Sequence, residues 1–375
     1  MRAWGRWLAV VLLLGLGCSS GKPTQPVWVG HVAPLSGPDR RFGEQARQGI
    51  LLAVESARAE GVTVGGRPIA VRHVDGRGEA GTVRAETVRL LAVNKVAALL
   101  AGPDGRTLTL LQAARPYGAP GIAPAEVVGP LSDEAVLVLG APPAQRGKVL
   151  ARHALRALKA KRVAVLHDEK SAVCGALVDA FVQPWPTQAV AYGNSERTRL
   201  EQVKSLLAGK PDVVLLAVEH RDFGRLRAQL RAAGWSGPIL HGGDDVGTEA
   251  LRREAPLDSD LHLVTVCDRA GLTEEGKAFA KRYEERFHAP PELAAVQGHD
   301  AARLLFGILQ EACTPGALRI PELRKDGARL LRGRSTFESL TGPVSWHERQ
   351  PRRRLFVVQL GKAGARLLQT IPPEE

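Results

Sequence analysis

The first residues placed to do chemistry sit where a short apolar run stops. Val27 to Val32 is rich in β-branched residues, as a buried strand requires, and Pro34, Gly37 and Pro38 end it. Helical spacing then begins with Phe42, Ala46, Ile50, Ala53, Val54 and Ala57. This strand–turn–helix unit puts Ser36 and Phe42 at the carboxyl end of the strand, where open α/β sheets bind ligands. Both are candidate ligand contacts.

Other chemistry-bearing patterns lead less far. Gly76-Arg77-Gly78-Glu79-Ala80-Gly81 spells G-x-G-x-x-G, with Asp104 downstream. The preceding strand ends before the glycines start, and the chain holds 40 glycines. Chance accounts for the match, and no dinucleotide is expected. The sequence has no G-x-S-x-G elbow, no Walker A loop and no H-E-x-x-H. His167 and His241 end strands and are expected to be hydrogen-bonded structural residues. Cys174, Cys267 and Cys313 lack C-x-x-C spacing, which argues against zinc and for simple buried thiols. The expectation is a chain without catalysis, metal or cofactor.

The elements that must hold Ser36 and Phe42 read as alternating strands and helices. After the first unit come strands at 69–74, 96–100, 121–123 and 136–139, with helices at 82–93 and 108–117. Pro142-Pro143 breaks the series. A second series has helices at 148–158, 176–182, 200–207 and 223–233. Its strands fall at 163–167, 189–192, 213–218, 239–241 and 261–266. Two such series imply an α/β fold of two doubly wound parallel sheets. Long helices at 271–287 and 294–313 follow with no strand between them. The tail returns to strands at 355–360 and 366–370.

Composition sets the remaining bounds. The 375 residues suit two domains, and 44% hydrophobic with 24% charged content is ordinary for a globular chain. The net charge of +12 would permit a nucleic-acid partner. The basic residues are scattered, however, and the dense cluster Arg349, Arg352, Arg353 and Arg354 reads as a solvated turn before a strand. No nucleic acid is expected. At the amino terminus Arg2 and Arg6 precede an apolar core from Trp7 to Leu16, too short to span a bilayer. Leu14-Gly15-Leu16-Gly17-Cys18 resembles a bacterial lipobox, with Gly15 where Leu is usual. The reading is a signal peptide over 1–17, lipidation at Cys18 and a flexible tether over 18–26.

Several word-like segments now form a pattern. Pro34-Leu35-Ser36-Gly37-Pro38 followed by Phe42-Gly43 is similar to the opening of the type I periplasmic solute-binding proteins, the leucine/isoleucine/valine-binding branch. Lys161 to Asp168, Pro211 to Leu216, Gly243 to Gly247, His299 to Leu305 and Thr341 to Trp346 resemble that family's later motifs, in its order and spacing. The resemblance covers nearly the whole mature chain. It implies two Rossmann-like lobes joined by three hinge crossovers, with the lobes at 27–142 with 269–340 and at 143–268 with 341–375.

Functionally, the resemblance implies the extracytoplasmic component of an ABC importer, held in the periplasm by its lipid and serving a membrane permease. A small polar solute, an amino acid or related carboxylate, would lie between lobes that close by hinge motion. The same fold also serves lipoproteins that activate peptidoglycan synthases, so a regulator or scaffold is the alternative. The positions carried over are Ser36, Phe42, Arg106, Ala125, Asp244 and Gln297. The chain departs from the family pattern in three places. Arg106 stands where a carboxylate-capping Ser is usual, the loop Ala123-Pro124-Ala125-Glu126-Val127 lacks two hydroxyls, and Ala172 replaces a Tyr. Arg offers a planar fork for a carboxylate and Asp244 a partner for an ammonium, so the two are expected to face each other across the cleft.

Overall fold

The structure, a computed structural model, describes residues 25–373 apart from 104, 130–134, 186–189, 192–195, 243–250, 252–260, 314–317 and 362–363. The first sheet contains β1 (Val27–Ala33), β2 (Thr63–Val64), β3 (Arg67–Asp75), β4 (Ala98–Ala101), β5 (Gly121–Ala123) and β6 (Val136–Val138). Their spatial order is β2-β3-β1-β4-β5-β6, parallel throughout except for the β2–β3 hairpin. Helices α1 (Arg40–Ala59), α2 (Ala80–Ala92) and α3 (Thr107–Ala114) make the crossovers. β4 is buried at all four positions, which is why it reads as an unbroken apolar run rather than an alternation.

The second half begins with α4 (Pro143–Arg156). It continues through β7 (Val163–His167), α5 (Ala172–Phe181), β8 (Val190–Ala191), α6 (Glu196–Ala208), β9 (Val213–Ala217), α7 (His220–Ala232), β10 (Ile239–His241) and β11 (Leu261–Thr265). The chain then returns to the first sheet with α8 (Glu274–Phe287), α9 (Leu293–Ala312) and α10 (Ile320–Gly333). Tyr283 donates to Gln48 Oε1 at 2.5 Å and Arg282 to Ser56 Oγ at 2.9 Å, tying α8 to α1. Ile50 and Ala53 of α1 share a core with Ala301, Leu305 and Leu309 of α9 and with Val29 and Leu100 of the sheet. Full burial of each such aliphatic side chain contributes about 1.5–3 kcal/mol.

The last strands divide between two sheets. β12 (Thr336–Ser339), β13 (Gly342–His347) and β14 (Gln350–Arg353) form a small antiparallel sheet of their own. β15 (Leu355–Gly361) and β16 (Gly364–Ile371) then join β11 antiparallel, giving the order β16-β15-β11-β10-β9-β7-β8. The fold is therefore two α/β lobes, and the chain passes between their sheets after β6, after β11 and after β14.

Two sequence expectations need correction. The apolar pattern assigns no element between 313 and 355, yet α10 and the three-stranded sheet lie there. α10 carries many charges, and only its narrow Leu323, Ala328 and Leu331 stripe is apolar and buried. β13 and β14 contain Pro343 and Pro351, which ordinarily argue against strands; Pro343 lies beyond the part of β13 that pairs with β14. The second correction concerns the arginine cluster. Arg352 is exposed, but Arg353 is 2% exposed and donates to Leu139 O at 2.5 Å and Thr341 Oγ1 at 2.8 Å. Arg349 donates to Val136 O and Trp346 Nε1 to Val138 O, at 2.7 and 2.8 Å. β6 is an edge strand, and its outward carbonyls need donors; the small sheet supplies them from side chains.

Candidate functional site

At the rim of the first sheet the loop after β1 is fastened to the end of β3 by one carboxylate. Asp75 Oδ2 accepts from Ser36 Oγ at 2.5 Å, and Oδ1 accepts from the backbone N–H groups of Leu35 at 2.9 Å and Arg77 at 2.8 Å. Burial alone would raise its pKa, but these hydrogen bonds outweigh it and hold the carboxyl below its usual value. Ser36 is exposed, and its hydroxyl serves as a strut for this turn. The Phe42-Gly43 pair has a steric basis. A Cβ on Gly43 would lie 2.1 Å from Pro34 O, so only glycine lets α1 start against the loop.

The other anticipated residues are held by different elements. Phe42 is 7% exposed and packs with Ala46 and Ala294 in an apolar cluster that includes Leu216, Leu263 and Phe356 of the second sheet. It thus bridges the lobes. Gln297 on α9 is 3% exposed, and its Nε2 has no hydrogen-bond partner among the described residues. Arg106 precedes α3, is exposed, and donates from Nε to Gly78 O at 2.9 Å. Asp244 and Cys18 lie outside the described residues. Ala125 is half-buried in the loop after β5. That loop is so close to Gly140 that a Cβ there would meet Glu126 N at 2.1 Å.

Next to Ala125 is a buried polar contact between the two lobes. Glu126 follows β5 of the first sheet, and Arg146 lies in the first turns of α4, whose apolar residues share a core with the second sheet. Arg146 Nη2 donates to Glu126 Oε1 at 2.6 Å, and Nη1 donates to Gly242 O at 3.4 Å, just beyond β10. Their side chains are 1% and 7% exposed. The carboxyl ends of both sheets therefore meet at one buried guanidinium. Sequence reading had noted Glu126 only for what its loop lacked. A charged residue in an otherwise apolar strand-end loop was the available signal; nothing in sequence pointed to its partner beyond Pro142-Pro143.

Comparison with known proteins places this geometry. The sequence profile of the family described as "Periplasmic binding protein" matches residues 26–365. The chain belongs to that family. Among curated proteins, this periplasmic binding protein is 27% identical over 229 residues to "Leu/Ile/Val-binding protein homolog 3" of Brucella melitensis. That match spans 58% of the chain and 61% of the relative's length. Its fold matches the branched-chain amino acid transporter substrate binding protein LivJ from Streptococcus pneumoniae, solved with isoleucine. There the TM-score is 0.79 at 19% identity, covering 92% of this chain and 99% of the other. A solute binding protein of an ABC transporter from R. palustris, solved with benzoate, gives 0.75 at 21% identity, covering 92% and 96%. Among the described residues of the binding protein no helix is long and apolar enough to cross a membrane.

Each lobe of the binding protein also buries a histidine pair that sequence reading did not single out. His31 and His73 are register neighbours on β1 and β3, with Nδ1 atoms 2.9 Å apart. His153 on α4 lies 3.1 Å from His262 on β11, Nε2 to Nδ1. Burial, then the neighbouring histidine and Arg47, push His31 well below its ordinary value. Burial and Arg47 push His73 down to about 4; burial and His153 do the same to His262. An N–H···N bond needs one donor and one acceptor nitrogen, so at most one ring of each pair can carry a charge, and burial disfavours that charge as well. Of the two histidines noted in sequence, His241 is fully buried with its ring against Phe223 at 4.6 Å, and His167 ends β7 with a buried Nδ1.

Proposed function

We propose that this periplasmic binding protein captures a small polar solute, an amino acid or related carboxylate, between its lobes and delivers it to an ABC permease. The observation that carries the reading is the family match across residues 26–365, joined to a site where the strand ends of both sheets meet. The relatives solved with isoleucine and benzoate both hold small carboxylates. Binding proceeds by hinge closure about the three crossovers. The solute's acid group turns toward Arg106 and its amine toward Asp244, with Phe42, Ser36, Ala125 and Gln297 along the walls. Acylation of Cys18 tethers the chain to the envelope.

Calorimetric titration with a panel of amino acids, dicarboxylates and aromatic carboxylates tests this reading. Saturable binding of at least one member is expected. A charge-assisted bond is worth about 1.5–3 kcal/mol, so Arg106→Ala should weaken binding roughly tenfold to a hundredfold. Cys18→Ala should release the chain from the membrane fraction. Binding unaffected by Arg106→Ala would sink the assigned orientation.

One observation favours a second reading, a regulator or scaffold of another envelope protein. The guanidinium between the lobes already holds a carboxylate from the chain itself. Absence of binding across the whole panel, with a folded protein, selects this reading over transport.

A further inference from the structure

A carboxylate on a flexible three-bond stem, buried against a guanidinium between two lobes, has the chemistry of a bound acid ligand. Glu126 has that placement. Its backbone is fixed where the loop after β5 presses on Gly140, and its side chain reaches α4 of the other lobe. The contact is charge-assisted at 2.6 Å, and the same guanidinium also holds Gly242 O. Water is excluded, with 1% and 7% side-chain exposure. Glu126 Oε2 is buried with no hydrogen-bond partner among the described residues. A residue that served only to hold the lobes together would have both carboxylate oxygens satisfied or give way to apolar contact.

We propose that Glu126 is a built-in ligand: its carboxylate occupies, across the two lobes, a guanidinium site at Arg146 that accepts small monocarboxylates when Glu126 is absent. The site is thereby closed to solute carboxylates in the native chain, and any solute must be read elsewhere in the cleft. The inference rests on the two-lobe fold and on this contact; it stands whether or not the protein transports a solute.

The test is chemical rescue. Glu126→Ala removes the internal carboxylate and leaves a space that formate, acetate or propionate can enter. Thermal unfolding of the full mature chain is followed in sodium acetate and in sodium chloride at matched ionic strength. The expected result is a Glu126→Ala protein with lowered Tm that acetate raises by about 2–4 °C over chloride, with no such difference for the native chain. The double variant Glu126→Ala/Arg146→Met should lose the acetate effect. Glu126→Gln fills the same volume without charge, and should be destabilised yet insensitive to acetate. Small-angle scattering of Glu126→Ala should show an expanded, opened particle that contracts again with acetate.

A folded Glu126→Ala protein, judged by circular dichroism, with equal Tm in acetate and chloride overturns the proposal. So does an acetate effect that survives loss of Arg146. If Glu126→Ala does not fold, Glu126→Gln decides. Native stability and native scattering in that variant would show that the carboxylate is dispensable and refute the inference.

Discussion

Two carboxylates stand at the strand ends of the first sheet, and they do opposite things. Asp75 turns inward on its own lobe. Its partners are Ser36, Leu35 and Arg77, all in the two loops it joins, and Ser36 is open to solvent. Glu126 turns outward to the other lobe and is sealed against Arg146. The first contact is unaffected by a change of hinge angle, because everything it touches moves together. The second cannot survive separation of the lobes unchanged. The difference teaches that a rim can be rigid within each lobe while the link between lobes rests on a few groups.

The largest effect that would break this comparison comes from Arg146. Arg146→Ala leaves the Glu126 carboxylate buried without its cation, and removing one member of a buried pair costs about 3–5 kcal/mol. Urea unfolding should register that loss. Asp75→Asn should cost less than half as much, because the site is partly solvated and two backbone N–H groups can still reach an amide oxygen. Equal losses for the two variants would erase the distinction between an intralobe strut and an interlobe tie.

A second effect, next in size, separates the two regions by pH. For His73 and His262 the folded value lies near 4, below the ordinary 6.5, so the unfolded chain binds more protons between these limits. Stability is then complete above about pH 6.5 and falls as pH drops toward 4, by up to about 1.4 kcal/mol per unit for each ring. Asp75 has the same sense at lower pH. Its folded value lies below the ordinary 3.8, so its contribution is complete above that range and is lost as pH falls through its folded value. Urea unfolding between pH 6.5 and 5 should lose stability in both lobes while the Asp75 rim is intact. His73→Gln should flatten the slope. A pH-independent midpoint over that window would contradict the neutral histidine pairs.

Much of this was legible in the sequence, for a reason that also explains what was missed. The strands 121–123, 163–167 and 239–241 fall as the apolar runs place them, because a strand covered on both faces must be apolar throughout. The turn at Ser36 is legible from proline and glycine. The three-stranded sheet was not, since its strands are half-exposed and its role is to cap the β6 edge through Arg349, Arg353 and Trp346. Nor was the Glu126–Arg146 tie, whose partners are joined by the hinge geometry and by no periodic pattern. Long-range polar pairs leave no trace in local spacing, whereas burial of whole elements does.

The smallest expected effect sharpens the reading of Ser36. Its hydroxyl donates to Asp75, so Ser36→Ala removes one charge-assisted bond at an exposed site, while the Leu35 and Arg77 backbone bonds remain. The loss should stay at or below about 1 kcal/mol, since water can replace the hydroxyl. The Asp75 carboxyl should titrate at higher pH, because one of the bonds that favour its ionised form is gone. Carbon-detected NMR titration of Asp75 in the native chain and in Ser36→Ala measures this directly. An upward shift with little change in the urea midpoint fits a strut that tunes the rim. An unchanged Asp75 titration would mean that Ser36 does not engage it in solution and is available to a solute.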